Sequence, residues 1–190
     1  MFSNLNQILQ NDGVIAFVTD TVWGIGCLPT SPKAVQRIYD IKKREAKKPL
    51  ILMSDDIYPL FDYVKQPIEK QAQILIKKHF PGALTLVVEK SENTPDYITS
   101  KMNTVGIRVP KNETFANICK AIDGRVLATT SANISGEPPA LTYQEALNYI
   151  GDKVDLVIED KGFFAKGISS TVVGFQDNRT IIYRQGELFI

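Results

Sequence analysis

Residues 14–26 read VIAFVTDTVWGIG, an apolar run followed by a polar segment that contains two glycines. The run VIAFV (14–18) is rich in β-branched and aromatic residues and predicts a buried strand, while the polar segment after it predicts a turn. Helical patterns lie on both sides. Residues 3–11 carry their leucines and isoleucine on one helical face, and a second helix is predicted to begin with Ser31 as its N-cap and Pro32 at its first position. A strand between two helices favours an α/β arrangement.

The rest of the chain repeats this alternation of strand-like and helix-like segments. Stretches typical of strands are LILM (50–53), ALTLVVEK (83–90), TVGIRVP (104–110), VLATT (126–130), VDLVIE (154–159), STVVGF (170–175) and TIIYR (180–184). Helices are predicted from Pro67 with Ile74, Leu75 and Phe80 facing inward, around residues 113–122, and from a capping box at Thr142 to about Ile150. About seven strands with four to six helices predict an α/β (α+β type) three-layer fold around a twisted mixed sheet. No repeat or flexible linker interrupts the pattern, so we expect residues 1–190 to form a single domain.

Composition excludes several classes of protein. The 190 residues include 22 Lys and Arg against 21 Asp and Glu, a formal net charge of +1. This near-balance counts against a dedicated nucleic-acid coat protein, which carries a large basic excess. No apolar run approaches the roughly 18–20 residues that span a bilayer, and the opening MFSNLNQILQND lacks the pattern of a secretory signal. We therefore expect a cytoplasmic protein without a membrane segment.

Cysteine and histidine are too scarce for several common kinds of site. Cys27, Cys119 and His79 are the chain's only residues of these two types, which argues against a zinc site built from Cys and His. A Ser-His-Asp or Cys-His mechanism would depend on His79 alone as the base. We expect no metal ligands among the side chains, and we expect the chemistry to come from Lys, Arg, Ser, Thr, Asn and carboxylates.

Residues 37–48 hold the densest cluster of charge. Six cations stand against two anions, Asp40 and Glu45, in this stretch. A solvated helix end explains such a run, because cations complement the negative end of the helix dipole. Lys42 favours an anionic ligand instead, because it falls on the apolar face of its helix, where an unpaired ammonium is costly. Neither a Walker A loop nor a complete GxGxxG occurs, so a nucleotide would be held by Lys and Arg side chains and by turns.

A second cluster, TTSANISG (129–136), follows a predicted strand and offers several hydroxyls and an amide. Such a loop is a common place for ligand contacts, and the same residue types also form helix caps and ST-turns. Both interpretations stay open here, as they do for Asp20 and Thr21. Trp23 and Tyr39 are expected in the core.

Residues 18–53, VTDTVWGIGCLPTSPKAVQRIYDIKKREAKKPLILM, resemble the opening signature of the YrdC-like family of threonylcarbamoyl-AMP synthases. In that family a strand ends in P-T-[DE]-T-V-Y-G-L-G, and a K-x-R follows on the next helix. Further matches follow in order: PGALTLVV (81–88), TVGIRVP (104–110), the S-A-N of 131–133, SSTVV (169–173) and YRQGEL (183–188). Val18, Trp23 and residues 43–45 depart from the family pattern. The resemblance covers residues 10–190 and implies the YrdC-like fold of the short, single-domain type.

The resemblance also implies an activity. The family consumes L-threonine, bicarbonate and ATP, the last with Mg²⁺, and releases L-threonylcarbamoyladenylate and pyrophosphate, which makes it a nucleotidyltransferase. A separate tRNA-modifying threonylcarbamoyl transferase complex then transfers the group to an adenosine beside the anticodon. Contact with that complex is expected to be transient, and direct tRNA binding is expected to be weak. The reaction needs positioning and charge neutralisation more than a protein nucleophile.

Individual residues follow from the same resemblance. The catalytic set is Lys42, Arg44, Ser131 and Asn133. The ATP contacts are Arg44, Lys48, Thr104, Ser131, Pro139 and Arg184. The threonine contacts are Thr21, Met53, Arg108, Thr129 and Ser170, among which Arg108 suits a bidentate pair with the threonine carboxylate.

Two other functions compete with this one. Residues 37–48 would also serve an RNA-binding module as a groove for the phosphate backbone, although no RNP1-like aromatic segment accompanies them. A related carbamoyl-transferring or sugar-phosphate enzyme would use the same basic pocket.

Overall fold

Helices lie on both faces of a nine-stranded mixed β-sheet in the part of the chain that the structure describes. The computed structural model describes residues 4–43, 48–176 and 179–190. The strands are β1 Ile15–Phe17, β2 Gly24–Cys27, β3 Ile51–Ser54, β4 Leu84–Glu89, β5 Thr104–Arg108, β6 Val126–Ser131, β7 Leu156–Val157, β8 Thr171–Gln176 and β9 Arg179–Arg184. The helices are α1 Leu5–Gln10, α2 Pro32–Lys42, α3 Lys70–His79, α4 Asp96–Thr99, α5 Glu113–Lys120 and α6 Tyr143–Ile150, with 3₁₀ turns at Tyr58–Tyr63 and Asp123–Arg125.

The strand order across the sheet is β7-β1-β2-β6-β3-β5-β4-β8-β9. Three neighbouring pairs are parallel, β1 with β7, β3 with β5 and β4 with β8, and the other five are antiparallel. The prediction of an α/β fold around a mixed sheet is confirmed. Nine strands replace the predicted number of about seven.

One strand that the sequence pattern assigned to a turn is β2. Its glycines lie against the ring of Phe17 on β1, since a Cβ added at Gly24 or Gly26 would stand 3.0–3.1 Å from that ring. The two glycines therefore let an aromatic ring pack directly on a strand, and they do not mark a reversal of the chain. Their residue type is what suggested a turn.

The predictions for one helix and one strand were wrong in detail. The helix expected from Pro67 begins at Lys70. Ile74 is 57% exposed, and the buried residues of α3 are Ala72 and Leu75. The predicted strand 154–159 is reduced to two paired residues.

The hydrophobic core is divided between the two faces of the sheet. Successive residues of β1 alternate between the two clusters, as they must in a strand. The larger cluster lies beneath α2, α3 and α6, and the smaller one lies beneath α1 and α5. Cys27 and Cys119 are both buried, and Trp23 and Tyr39 belong to the larger cluster. No helix in the described ranges is long and apolar enough to cross a membrane.

Candidate functional site

A cavity of about 530 Å³ lies on the sheet face that also carries α1 and α5. Much of its wall comes from alternate strand positions: Ile51 and Met53 on β3, Thr85 and Val87 on β4, and Thr104, Gly106 and Arg108 on β5. Three successive residues of β6, 129–131, and Val172 on β8 also line it. On β3, β4 and β5 the residues between these positions face the larger core cluster, which follows from the two-residue period of a strand. The volume is typical of a small-molecule site.

The deep end of the cavity is polar although it is buried. Thr21, Thr85, Thr129 and Ser170 are all nearly inaccessible to solvent and line this region. The hydroxyls of Thr85 and Ser170 are 2.8 Å apart and share a hydrogen bond, and Thr129 donates to the carbonyl of Ile51 at 3.2 Å. Several hydroxyl groups therefore converge where a small polar ligand would be enclosed.

Arg108 is the charged group of this buried end. Its guanidinium donates to the Gly82 carbonyl at 3.0 Å, to the Thr21 hydroxyl at 2.9 Å and to the Asp20 carboxylate at 2.6 Å. Burial lowers the pKa of Arg108 from its ordinary value, and the charge of Asp20 opposes that shift. A guanidinium has five N–H donors, so these three contacts leave one N–H on each terminal nitrogen. A ligand carboxylate would share the guanidinium with Asp20.

Asp20 is the partner of Arg108 whose role sequence analysis left open. It is buried, and its ion pair with Arg108 joins the segment after β1 to the end of β5. Asp20 and its neighbour Thr21 both bind the same guanidinium, which fixes the orientation of the arginine. The signal in the sequence was an acidic residue two positions after the predicted strand 14–18, but its partner lies 88 residues away.

Three members of the predicted catalytic set meet in one hydrogen-bond network. The Lys42 ammonium donates to the Ser131 carbonyl at 2.6 Å and to the Asn133 carbonyl and side-chain oxygen, both at 2.8 Å. The Ser131 hydroxyl donates to the same side-chain oxygen at 2.7 Å. Lys42 is 2% exposed, as its place on the apolar face predicted. The partners of its ammonium in this network are carbonyl and amide oxygens. Arg44 lies outside the described residues.

The remaining ATP positions divide into two groups. Thr104 and Arg184 line the cavity, and Arg184 donates to the Ser170 carbonyl at 2.8 and 3.1 Å. Lys48 and Pro139 are not among the lining residues. Lys48 is exposed, and its carbonyl accepts a hydrogen bond from the Tyr39 hydroxyl. Among the described residues, no group of three or more His, Cys, Asp or Glu could hold a metal ion.

Comparison with known proteins identifies the family. The model of the Sua5/YciO/YrdC family, described as "Telomere recombination", matches residues 7–186. This chain belongs to the Sua5/YciO/YrdC family. The resemblance seen in the sequence is thereby confirmed, and so is its near-complete coverage of the chain.

Relatives of this Sua5/YciO/YrdC chain include curated proteins and solved structures. The threonylcarbamoyl-AMP synthase of Buchnera aphidicola is 36% identical over 154 residues, which are 79% of this chain and 86% of the relative. That of Idiomarina loihiensis is 34% identical over 149 residues, 78% of this chain and 80% of the relative.

Two solved structures extend the comparison to the fold. P. abyssi Sua5 complexed with L-threonine is 31% identical with a TM-score of 0.90, covering 97% of this chain and 54% of that one. E. coli YciO is 26% identical with a TM-score of 0.85, covering 98% of this chain and 90% of that one. The chain thus spans about half the length of the Sua5 protein and most of YciO.

Proposed function

We propose that this chain is an L-threonylcarbamoyladenylate synthase, a nucleotidyltransferase that uses L-threonine, bicarbonate and ATP. The observation that carries the proposal is the buried polar end of the cavity, where Arg108 lies among hydroxyl groups. Support comes from the relatives named threonylcarbamoyl-AMP synthase, which match about four fifths of the chain (79% for one of them), and from the similarity to a Sua5 structure complexed with L-threonine.

The reaction needs no protein nucleophile. The threonine amine attacks the carbon of bicarbonate, a C–N bond forms, and water leaves to give a carbamate. A carbamate oxygen then attacks the α-phosphorus of ATP, and the bond to the bridging oxygen breaks as pyrophosphate leaves. Both steps bring anions together, so the enzyme must orient them and neutralise their charge.

Threonine is proposed to bind at the buried end. Arg108 would hold the carboxylate with the two N–H groups that its protein contacts leave, while Asp20 fixes the guanidinium. Thr21, Thr129 and Ser170 would surround the amine and hydroxyl. Met53 supplies apolar surface beside them, which suits the threonine methyl.

ATP is proposed to occupy the open part of the cavity. Arg44, Lys48, Thr104, Ser131, Pro139 and Arg184 are its proposed contacts. Lys42 would act with Ser131 and Asn133, because its ammonium holds the segment that carries both. Mg²⁺ would arrive with the ATP phosphates as part of the substrate.

The remaining biological context belongs to the same proposal. We propose that residues 1–190 act as one domain in the cytoplasm, and that a transferase complex consumes the adenylate during tRNA modification, with weak direct binding of tRNA. The RNA-binding alternative is not favoured, because Lys42, a central cation of its basic patch, is buried and bonded to the 131–133 segment.

The decisive experiment supplies ATP, labelled bicarbonate and each of several amino acids in turn. We expect labelled acyl-adenylate and pyrophosphate with threonine and bicarbonate together, and neither product when one of them is omitted. Serine should be a poor substrate, since one methyl group contributes about 1–3 kcal/mol of discrimination. Pyrophosphate release at the same rate with and without bicarbonate would contradict the proposal.

A further inference from the structure

An irregularity in the pairing of β8 with β9 places an unusual side chain at the cavity. Val172 pairs with Arg184, but the next residue, Val173, pairs with Ile182, so Tyr183 is an extra residue in the ladder. A bulge of this kind sets two residues of one strand opposite one residue of the other and re-aims their side chains. Tyr183 and Arg184 accordingly both line the cavity, although neighbours in a regular strand face opposite sides.

Gly174 on β8 leaves the space that the Tyr183 ring occupies. A Cβ added at Gly174 would lie 2.4 Å from Cε2 of Tyr183 and 3.0 Å from its hydroxyl oxygen. The ring therefore rests where any other residue would place its side chain. The glycine and the bulge together let the ring lie against the sheet.

Tyr183 also differs from the other aromatic residue of the wall. Trp23 is fully buried, whereas Tyr183 is 60% exposed, so among the described lining residues Tyr183 presents the accessible aromatic ring. Met102 adds a second exposed apolar side chain to the same cavity. The cavity thus combines a buried polar end with an exposed apolar rim.

We propose that Tyr183 is the platform on which the adenine base of ATP stacks, held in place by Gly174 and the β8–β9 bulge. This inference rests on the function proposed above. Threonine and the carbamate need the polar end, and the adenine is the large, flat part of the substrates that needs an apolar surface. Every base has a π-face that can stack on an aromatic side chain.

The test measures binding of ATP and of inorganic tripolyphosphate, which lacks the base, to Tyr183→Ala and Tyr183→Phe by calorimetry. Stacking is worth about 1–3 kcal/mol per base, so Tyr183→Ala should weaken ATP binding by about five- to 150-fold. Tripolyphosphate and threonine binding should stay unchanged, and Tyr183→Phe should bind ATP like the wild type. Ile182→Ala is the matched control, because Ile182 is similarly exposed on the same strand but does not line the cavity.

The outcomes separate the role of Tyr183 from the proposed function of the protein. Equal weakening of ATP and tripolyphosphate would mean that Tyr183 acts on the phosphates, and unchanged ATP binding in Tyr183→Ala would mean that the base lies elsewhere. Either result overturns the platform while adenylate formation by the wild type continues to support the proposed function. A wild type that neither binds ATP nor forms the adenylate would overturn both.

Discussion

Replacement of Lys42 by methionine tests whether the buried ammonium holds the 131–133 segment. Methionine is close to lysine in length and apolar, so Lys42→Met removes the charge and its hydrogen bonds without opening a large cavity. The change leaves three oxygens, on Ser131 and Asn133, without the donor that now lies 2.6–2.8 Å away. We expect both lower stability and loss of turnover.

The size of the effect follows from two opposing contributions. The Ser131 carbonyl keeps a hydrogen bond from the Asn133 N–H, and the Asn133 side-chain oxygen keeps the one from the Ser131 hydroxyl. The Asn133 carbonyl loses its donor, at a cost of about 1–3 kcal/mol, the lost charged hydrogen bonds add to this, and relief from desolvating the ammonium offsets part of the total. We therefore expect the free energy of unfolding to fall by about 1–3 kcal/mol, which corresponds to a fall in Tm of about 2–12 °C for a chain of this length. Urea unfolding and a thermal melt give both quantities, and adenylate formation is measured on the folded fraction.

The neighbouring lysine is the control. Lys43 is exposed at the end of the same helix, so Lys43→Met should change stability by no more than about 0.5 kcal/mol. Identical melting of the two variants at the wild-type temperature would refute the argument, because it would show that the three contacts of Lys42 do not stabilise the segment. A stable Lys42→Met variant with full turnover would also remove Lys42 from the catalytic set.

Two further predictions concern the charged and titratable groups. Arg108→Ala should raise the Michaelis constant for threonine about ten- to 150-fold, because a charge-assisted pair contributes about 1.5–3 kcal/mol. Arg108→Lys should keep the charge beside Asp20 without restoring threonine binding. Equal changes in the Michaelis constants for threonine and ATP would count against the assignment. Burial raises the pKa of Cys27 from 9.0 to about 12 and also raises that of Cys119, so the native state disfavours thiolates and stability should be lost as the pH rises above about 9. Urea midpoints between pH 8 and 10.5 check this, and a Cys27→Ala, Cys119→Ala variant with the same alkaline slope would contradict it.

The parts of the fold that depend on local pattern could be predicted from the sequence. α2 begins at Pro32 because the Ser31 hydroxyl accepts from the backbone N–H of Ala34, and α6 has the capping box that Thr142 and Glu145 predicted. These signals lie within one helical turn, where sequence spacing fixes geometry. β2 could not be predicted in this way, because its glycines are required by packing against the ring of Phe17 on another strand.

The site was predictable in its residue types but not in its pairings. In residues 104–109 the positions Thr104, Gly106 and Arg108 line the cavity while the residues between them enter the larger core cluster, an alternation that is legible in the sequence. The contact of Arg108 with Asp20 spans 88 residues and that of Lys42 with Asn133 spans 91. Such pairs are set by strand order, which short motifs do not encode.

The position of the cavity follows from how the helices cover the sheet. α1 and α5 pack over β1 and β6 and contribute to the smaller core cluster, whereas β5, β4 and β8 turn Thr104, Thr85 and Val172 toward the cavity on this same face. A strand face that no helix covers would ordinarily carry polar residues in contact with water. Here the polar residues are buried and bonded to one another, as in the Thr85–Ser170 contact. The part of this sheet face formed by β5, β4 and β8 therefore presents hydrogen-bonding groups to the cavity. Tyr183 reaches the rim of the cavity on the same sheet face, because the bulge between β8 and β9 turns its ring in that direction.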